Sequence, residues 1–142
     1  RNIQVGCVHA STAHTCLGGR GVPATAALRA ELDGALKPAT AKGTNLTKAF
    51  AAVARTPPPP DNIYVVTDGL PTLGAKTSGA TTITGRKRLN LFKEAVGRLP
   101  SPAPSISTIL LPLEGDPVAA YAFWHLAYET GGKLLSPAKD WP

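Results

Sequence analysis

Methionine is absent from all 142 residues, cysteine occurs twice, and aromatic side chains make up only 6%. Two cysteines exclude a disulfide-dense scaffold and a four-cysteine zinc site. So few aromatics provide no stacking platform of the kind single-stranded nucleic acid uses. Acidic residues are also scarce, nine against fifteen Lys and Arg, for a formal net charge of +6. The basic residues are scattered, with only Arg86, Lys87 and Arg88 clustered. The charge therefore reads as a solvated surface, and no nucleic-acid partner is expected. No run approaches the ~18 apolar residues a spanning helix needs, so no membrane insertion by this segment is expected. At 43% hydrophobic and 17% charged residues, the chain has material for a packed core, and disorder is not expected. Its length suits one domain, residues 1–142. It opens at Arg1, within a strand-like run and without Met, as expected of the tail of a longer protein.

Fourteen prolines and fourteen glycines divide the chain into short segments. Residues 2–10 (NIQVGCVHA) read as a strand and 12–17 as its return partner. Residues 23–36 have helical spacing, with Pro23 in the first turn and Leu28, Leu32 and Leu36 on one face. A second helix is expected over 47–55, stopped by the four prolines at 57–60. Residues 63–67 (IYVVT) read as a strand buried on both faces, as in a parallel sheet. Residues 70–85 read as a long exposed loop, and 86–99 as an amphipathic helix facing inward through Leu89, Phe92, Val96 and Leu99. A buried strand is expected over 106–113. Asp116 is placed to cap a helix opened by Pro117 and closed by Gly131 and Gly132, and 133–136 read as a last strand. Alternation of helices with apolar strands predicts an α/β fold: a Rossmann-like, open, mostly parallel sheet flanked by helices, with one antiparallel edge hairpin.

Two groups of residues could carry chemistry. If Ser11-Thr12 is a two-residue loop, Cys7 faces Cys16 and His9 faces His14, all four on one side of the hairpin. At non-hydrogen-bonded positions the Cα atoms lie ~4.5 Å apart, within the ~4.4–6.8 Å that a disulfide accepts. A disulfide, two unlinked thiols and a Cys2His2 zinc set are all compatible with that spacing. A disulfide would place the domain outside the reducing cytosol. The second group joins Gly43-Thr44-Asn45-Leu46-Thr47, just before a helix, to Asp68 at the end of Val65-Val66-Thr67-Asp68-Gly69-Leu70-Pro71-Thr72. A carboxylate ending a parallel strand stands at the ligand crevice, where a neighbouring hydroxyl can join it. Such oxygen donors suit Mg²⁺, Mn²⁺ or Ca²⁺ rather than zinc. The alternative is that Asp68 caps a turn and Thr44 a helix.

At GTNLT (43–47) and VVTDGLPT (65–72) the sequence resembles a von Willebrand factor type A domain, and the ending ISTILLPLEGDPVAAYAFWHLAYETGGKLL is similar to that family's closing strand, helix, Gly-Gly and strand. The resemblance covers nearly the whole chain. It implies a metal-ion-dependent adhesion site in which Thr44 and Asp68 help hold Mg²⁺ (or Mn²⁺ or Ca²⁺), with Asn45, Thr47 and Gly69 behind them. It implies a protein partner that completes the ion's coordination with an acidic side chain. The long loop beside the site, with Leu70, Thr72, Arg86, Lys87 and Arg88, would then set partner choice. The family's first element, Asp-x-Ser-x-Ser, is missing: Asp33, Asp61, Asp68, Asp116 and Asp140 are all followed by other residues. The expected sources of that strand are an upstream segment of the same protein or a companion chain; otherwise the domain is a degenerate structural or assembly module without metal. Bacterial members of the family are often tethered to the envelope, so an extracytoplasmic location is expected.

An enzyme is not expected. The strand ending in Asp68-Gly69 resembles phosphatases with Asp-x-Asp-Gly-Thr, but Val66 stands where the nucleophilic carboxylate would be. Neither a G-x-S-x-G elbow nor a G-x-x-x-x-G-K-[ST] loop occurs. His125 reads as a packed or surface histidine, and Phe123 and Trp124 as core or helix-face residues.

Overall fold

The computed structural model describes residues 43–75, 83–111 and 115–137, and the backbone of four short strands before them. These are β1 (Gln4–Val5), β2 (Cys7–His9), β3 (His14–Cys16) and β4 (Val22–Pro23). Then follow α1 (Leu46–Val53), β5 (Asn62–Thr67), α2 (Gly85–Val96), β6 (Ser105–Leu110), α3 (Pro117–Thr130) and β7 (Leu134–Leu135).

The result is α/β. Strands β5, β6 and β7 form one sheet in that order, parallel throughout. Asn62 lies opposite Ser105, Thr67 opposite Leu110, and Thr108 opposite Leu134. Both crossovers step across the sheet in the same direction. Because such connections share one hand, their helices fall on one face. Helix α1 packs beside α2, and α2 beside α3, so the three helices make a single layer. Ile63, Val65, Ile106 and Leu110 point into that layer and meet Phe50, Phe92 and Phe123. Phe92 and Phe123 touch edge to face, with centroids 4.9 Å apart, and each fully buried ring contributes about 1.5–3 kcal/mol.

The helix ends follow local chemistry. Asn45 caps α1 by accepting from the Lys48 N–H at 3.0 Å, and Thr84 caps α2 through the Lys87 N–H. Pro117 opens α3, and Gly131 closes it in the left-handed region at φ 71°. Gly132 then passes so close to β6 that a Cβ there would overlap the Ile106 carbonyl.

Several expectations are corrected. β5 is buried on one face only: Tyr64 is 73% and Val66 64% exposed. The described residues contain only one direction of winding, so nothing among them covers the opposite face. The antiparallel hairpin is not an edge of the parallel sheet. β2 and β3 pair as a separate two-stranded sheet, with Cys7 opposite Cys16 and His9 opposite His14 in the backbone register. Pro23 does not start a helix but pairs with Gln4 in a second small antiparallel ribbon. The rest of the helix expected over 23–36 lies outside the described residues. β6 alternates buried with half-buried residues rather than being enclosed. Asp116 holds the N-cap position of α3, yet its side chain makes no capping bond.

The two glycines after α3 give opposite kinds of cost. Gly131→Ala forces a left-handed backbone on an L-residue and is expected to lose about 1–2 kcal/mol. Gly132→Ala must push a backbone carbonyl aside and is expected to lose about 3 kcal/mol or more. Urea unfolding of the two variants checks the order, and a smaller loss for Gly132→Ala would contradict this packing.

Candidate functional site

β5 ends at Thr67, and the chain turns at once. The Thr67 hydroxyl accepts from the Gly69 N–H at 3.3 Å and donates to the Gly69 carbonyl at 2.9 Å. Leu70, the next residue, is held from the other side. Leu70 donates its N–H to Asp116 Oδ2 at 2.7 Å, and its carbonyl accepts from Arg88 Nη2 at 2.6 Å and Nε at 3.2 Å. Arg88 and Asp116 form an ion pair of 2.9 Å, with side chains 15% and 3% exposed. Asp68 sits between the two braces and is itself exposed. Among the described residues no hydrogen bond or ion pair engages its carboxylate. The turn is fixed while the charge it carries is free.

The loop before α1 is sewn to the segment that follows this turn. The Thr44 carbonyl accepts from the Thr72 and Leu73 N–H groups, each at 3.0 Å. The Thr44 N–H donates to Thr72 Oγ1 at 2.9 Å, and Asn45 Nδ2 donates to the Gly74 carbonyl at 2.9 Å. All of Thr44's backbone polarity is thus spent on the neighbouring loop, while its hydroxyl makes no bond among the described residues. Thr44 and Asp68 therefore belong to two loops joined at the carboxyl end of β5, where open α/β sheets bind ligands.

Chemically, this is a hydroxyl and a carboxylate, both hard oxygen donors, beside a buried pair whose charges cancel. The residue types fit Mg²⁺, Mn²⁺ or Ca²⁺, but such ions take six or more oxygens. Asp116 is not counted with them, because its Oδ2 is already shared by Arg88 and the Leu70 N–H. Among the described residues no group of three or more His, Cys, Asp or Glu could hold a metal.

The other residues singled out in the sequence divide cleanly. Asn45 is buried, and both ends of its amide are used, one on Lys48 and one on Gly74. Thr47 is 4% exposed, and its hydroxyl has no partner among the described residues. Leu70 is 1% exposed, and Pro71 is buried beside it, so the loop expected to be exposed starts inside the core. Thr72 is occupied pinning Thr44. Arg88, expected beside the site as a specificity residue, lies mostly buried, with its guanidinium on Asp116 and the Leu70 carbonyl. Arg86 and Lys87 remain exposed in the first turn of α2. For Cys7, His9, His14 and Cys16 only the backbone register is described. His125 is a surface residue 3.9 Å from Glu129. Phe123 is in the core. Trp124 is 50% exposed and lies stacked on Tyr128 with centroids 5.6 Å apart.

Sequence reasoning missed the Arg88–Asp116 brace. Asp116 precedes Pro117, so a capping role accounted for it locally, and Arg88 belonged to a basic run. The one available signal was Gly69. A Cβ there would lie 2.6 Å from Asp116 Oδ2 and 3.0 Å from Arg88 Nη2, so the glycine after Asp68 makes room for the pair.

No family model matches the chain, and no curated protein or solved structure matches it.

Gly69→Ala is expected to lose about 2–3 kcal/mol of stability by displacing the ion pair. Gly97→Ala, where a new Cβ meets nothing closer than 3.5 Å, is expected to change stability by less than about 1 kcal/mol. Thermal unfolding of both variants checks this, and equal effects would contradict it.

Proposed function

We propose that this chain is the larger part of a von Willebrand factor A-type binding module, in which Asp68 and Thr44 help hold a divalent cation that captures an acidic side chain of a protein partner. The single observation that carries this reading is the Asp68 carboxylate: exposed and unpaired among the described residues, on a turn braced from both sides. A carboxylate needed only to cap that turn would be bonded to it; Thr67 and Asp116 make those bonds instead.

A divalent ion, when bound, supplies open coordination positions that favour an incoming carboxylate. Everything else is the work of the chain. Asp68 contributes the negative charge, and Thr44 a neutral oxygen. Thr72 and Asn45 keep the Thr44 loop against the Asp68 turn. The missing oxygens would come from a strand carrying Asp-x-Ser-x-Ser, on an upstream segment or a companion chain. The exposed Arg86 and Lys87 suit an acidic partner and are the residues proposed to bias its choice. The same reading makes the protein a binding module rather than an enzyme, working outside the cytoplasm.

A structural module without metal is favoured by one observation, the shortage of donors within the described residues. Mn²⁺ separates the two readings, because its paramagnetism detects even weak binding. In amide-resolved NMR spectra, added Mn²⁺ is expected to broaden the Thr44, Asp68 and Gly69 signals first. Asp68→Ala, which removes the charge, is expected to cost more than the about 10- to 100-fold lost on changing residues behind a metal's ligands. Identical broadening in Asp68→Ala would overturn the proposal.

A further inference from the structure

We infer that Arg88 and Asp116 are positioning residues for the Asp68 carboxylate, a role that rests on the reading of Asp68 as a metal ligand. Three geometric facts carry it. Leu70, two residues after Asp68, has both its N–H and its carbonyl taken by the pair, at 2.7 Å and 2.6 Å. Gly69, the residue between, lies against the same two side chains with no room for a Cβ. On the other side the Thr67 hydroxyl bonds the Gly69 peptide. Asp68 is thus the free residue of a segment whose neighbours are fixed, and half of the fixing comes from α2 and from the start of α3.

Arg88 suits the task through its fork. Nη2 reaches both Asp116 and the Leu70 carbonyl, while Nε adds a second bond to that carbonyl. An ammonium at position 88 would retain the charge without the planar fork. The pair is also a better candidate for holding a loop than for raising stability, since a buried ion pair roughly cancels its own desolvation cost. What it adds is direction: the Gly69–Leu70 peptide donates to Asp116 and accepts from the Thr67 hydroxyl, so it cannot flip without breaking both bonds, and Arg88 holds the carbonyl of the next peptide.

Positioning and plain electrostatics make opposite predictions for one variant. Arg88→Gln removes a positive charge near the cation site. Electrostatics alone would tighten Mn²⁺ binding, whereas loss of the brace would weaken it. The test is the Mn²⁺ affinity of the full 142-residue chain, read from amide broadening, for wild type and for Arg88→Gln, Arg88→Lys, Asp116→Asn and Asp68→Ala. Ile106→Val, a core truncation away from the turn, serves as the control for lowered stability. Hydrogen exchange at the Leu70 amide is followed in each.

The expected result is an affinity loss of about 10- to 100-fold for the Arg88 and Asp116 variants. Faster Leu70 exchange should accompany it, and Ile106→Val should bind as wild type. Should Arg88→Gln fail to fold, Arg88→Lys carries the same prediction with the charge retained. Wild-type affinity in Arg88→Lys and Asp116→Asn, with binding lost in Asp68→Ala, would overturn the positioning role and leave the metal reading intact. A loss no larger than that of Ile106→Val would reduce the pair to ordinary structure. No Mn²⁺ binding by the wild type would overturn the metal reading and the positioning role together.

Discussion

A carboxylate with a side chain only 3% exposed cannot stay charged in a protein interior without a cation and hydrogen-bond donors around it. Asp116 has both, and the way it obtains them ties the molecule together. Its cation comes from the first turn of α2, and its donor from the peptide after β5, while Asp116 itself begins α3. Three segments distant in sequence therefore meet at one ion pair at the carboxyl end of the sheet. Removing one partner would leave the other charge buried alone, at a cost of about 3–5 kcal/mol. The space the pair needs fixes glycine at position 69, and its hydrogen bonds fix the Leu70 peptide.

The sheet explains why this end of the molecule carries the chemistry. With both crossovers running the same way, α2 and α3 cover one face of β5 and β6, and α1 joins them. Among the described residues β5 is an edge of the parallel sheet, and its outer face presents Tyr64 and Val66 to solvent. In an open α/β sheet ligands bind beyond the carboxyl ends of the strands, and Asp68 is the first residue past that end of β5.

Much of this was legible in the sequence where the signal was local. The Asp116-Pro117 start and Gly131-Gly132 end placed α3 to the residue, because capping and left-handed backbone are properties of a few adjacent residues. The alternation of apolar residues on α2 likewise identified its inner face, where Phe92 is buried and Leu89, Val96 and Leu99 pack against the core. The GTN loop is hydrogen-bonded to the segment that follows TDG, through Thr72 and Gly74. What was not legible depended on partners far along the chain. A continuous apolar run in β5 looked enclosed on both sides, since the run itself cannot report that its neighbouring helices share one face. Arg88 looked like one of three surface charges, because nothing local shows which of them turns inward to Asp116.

The central claim is that Asp68 is held out as an oxygen ligand while its neighbours hold the turn. The most direct measurement is a crystal structure of the chain grown with Mn²⁺, with the ion located by its anomalous scattering. The account predicts a peak about 2.0–2.6 Å from an Asp68 carboxylate oxygen, with Thr44 on the same ion directly or through water. A carboxylate folded back into hydrogen bonds with its own turn, and no peak beside it, would contradict the account.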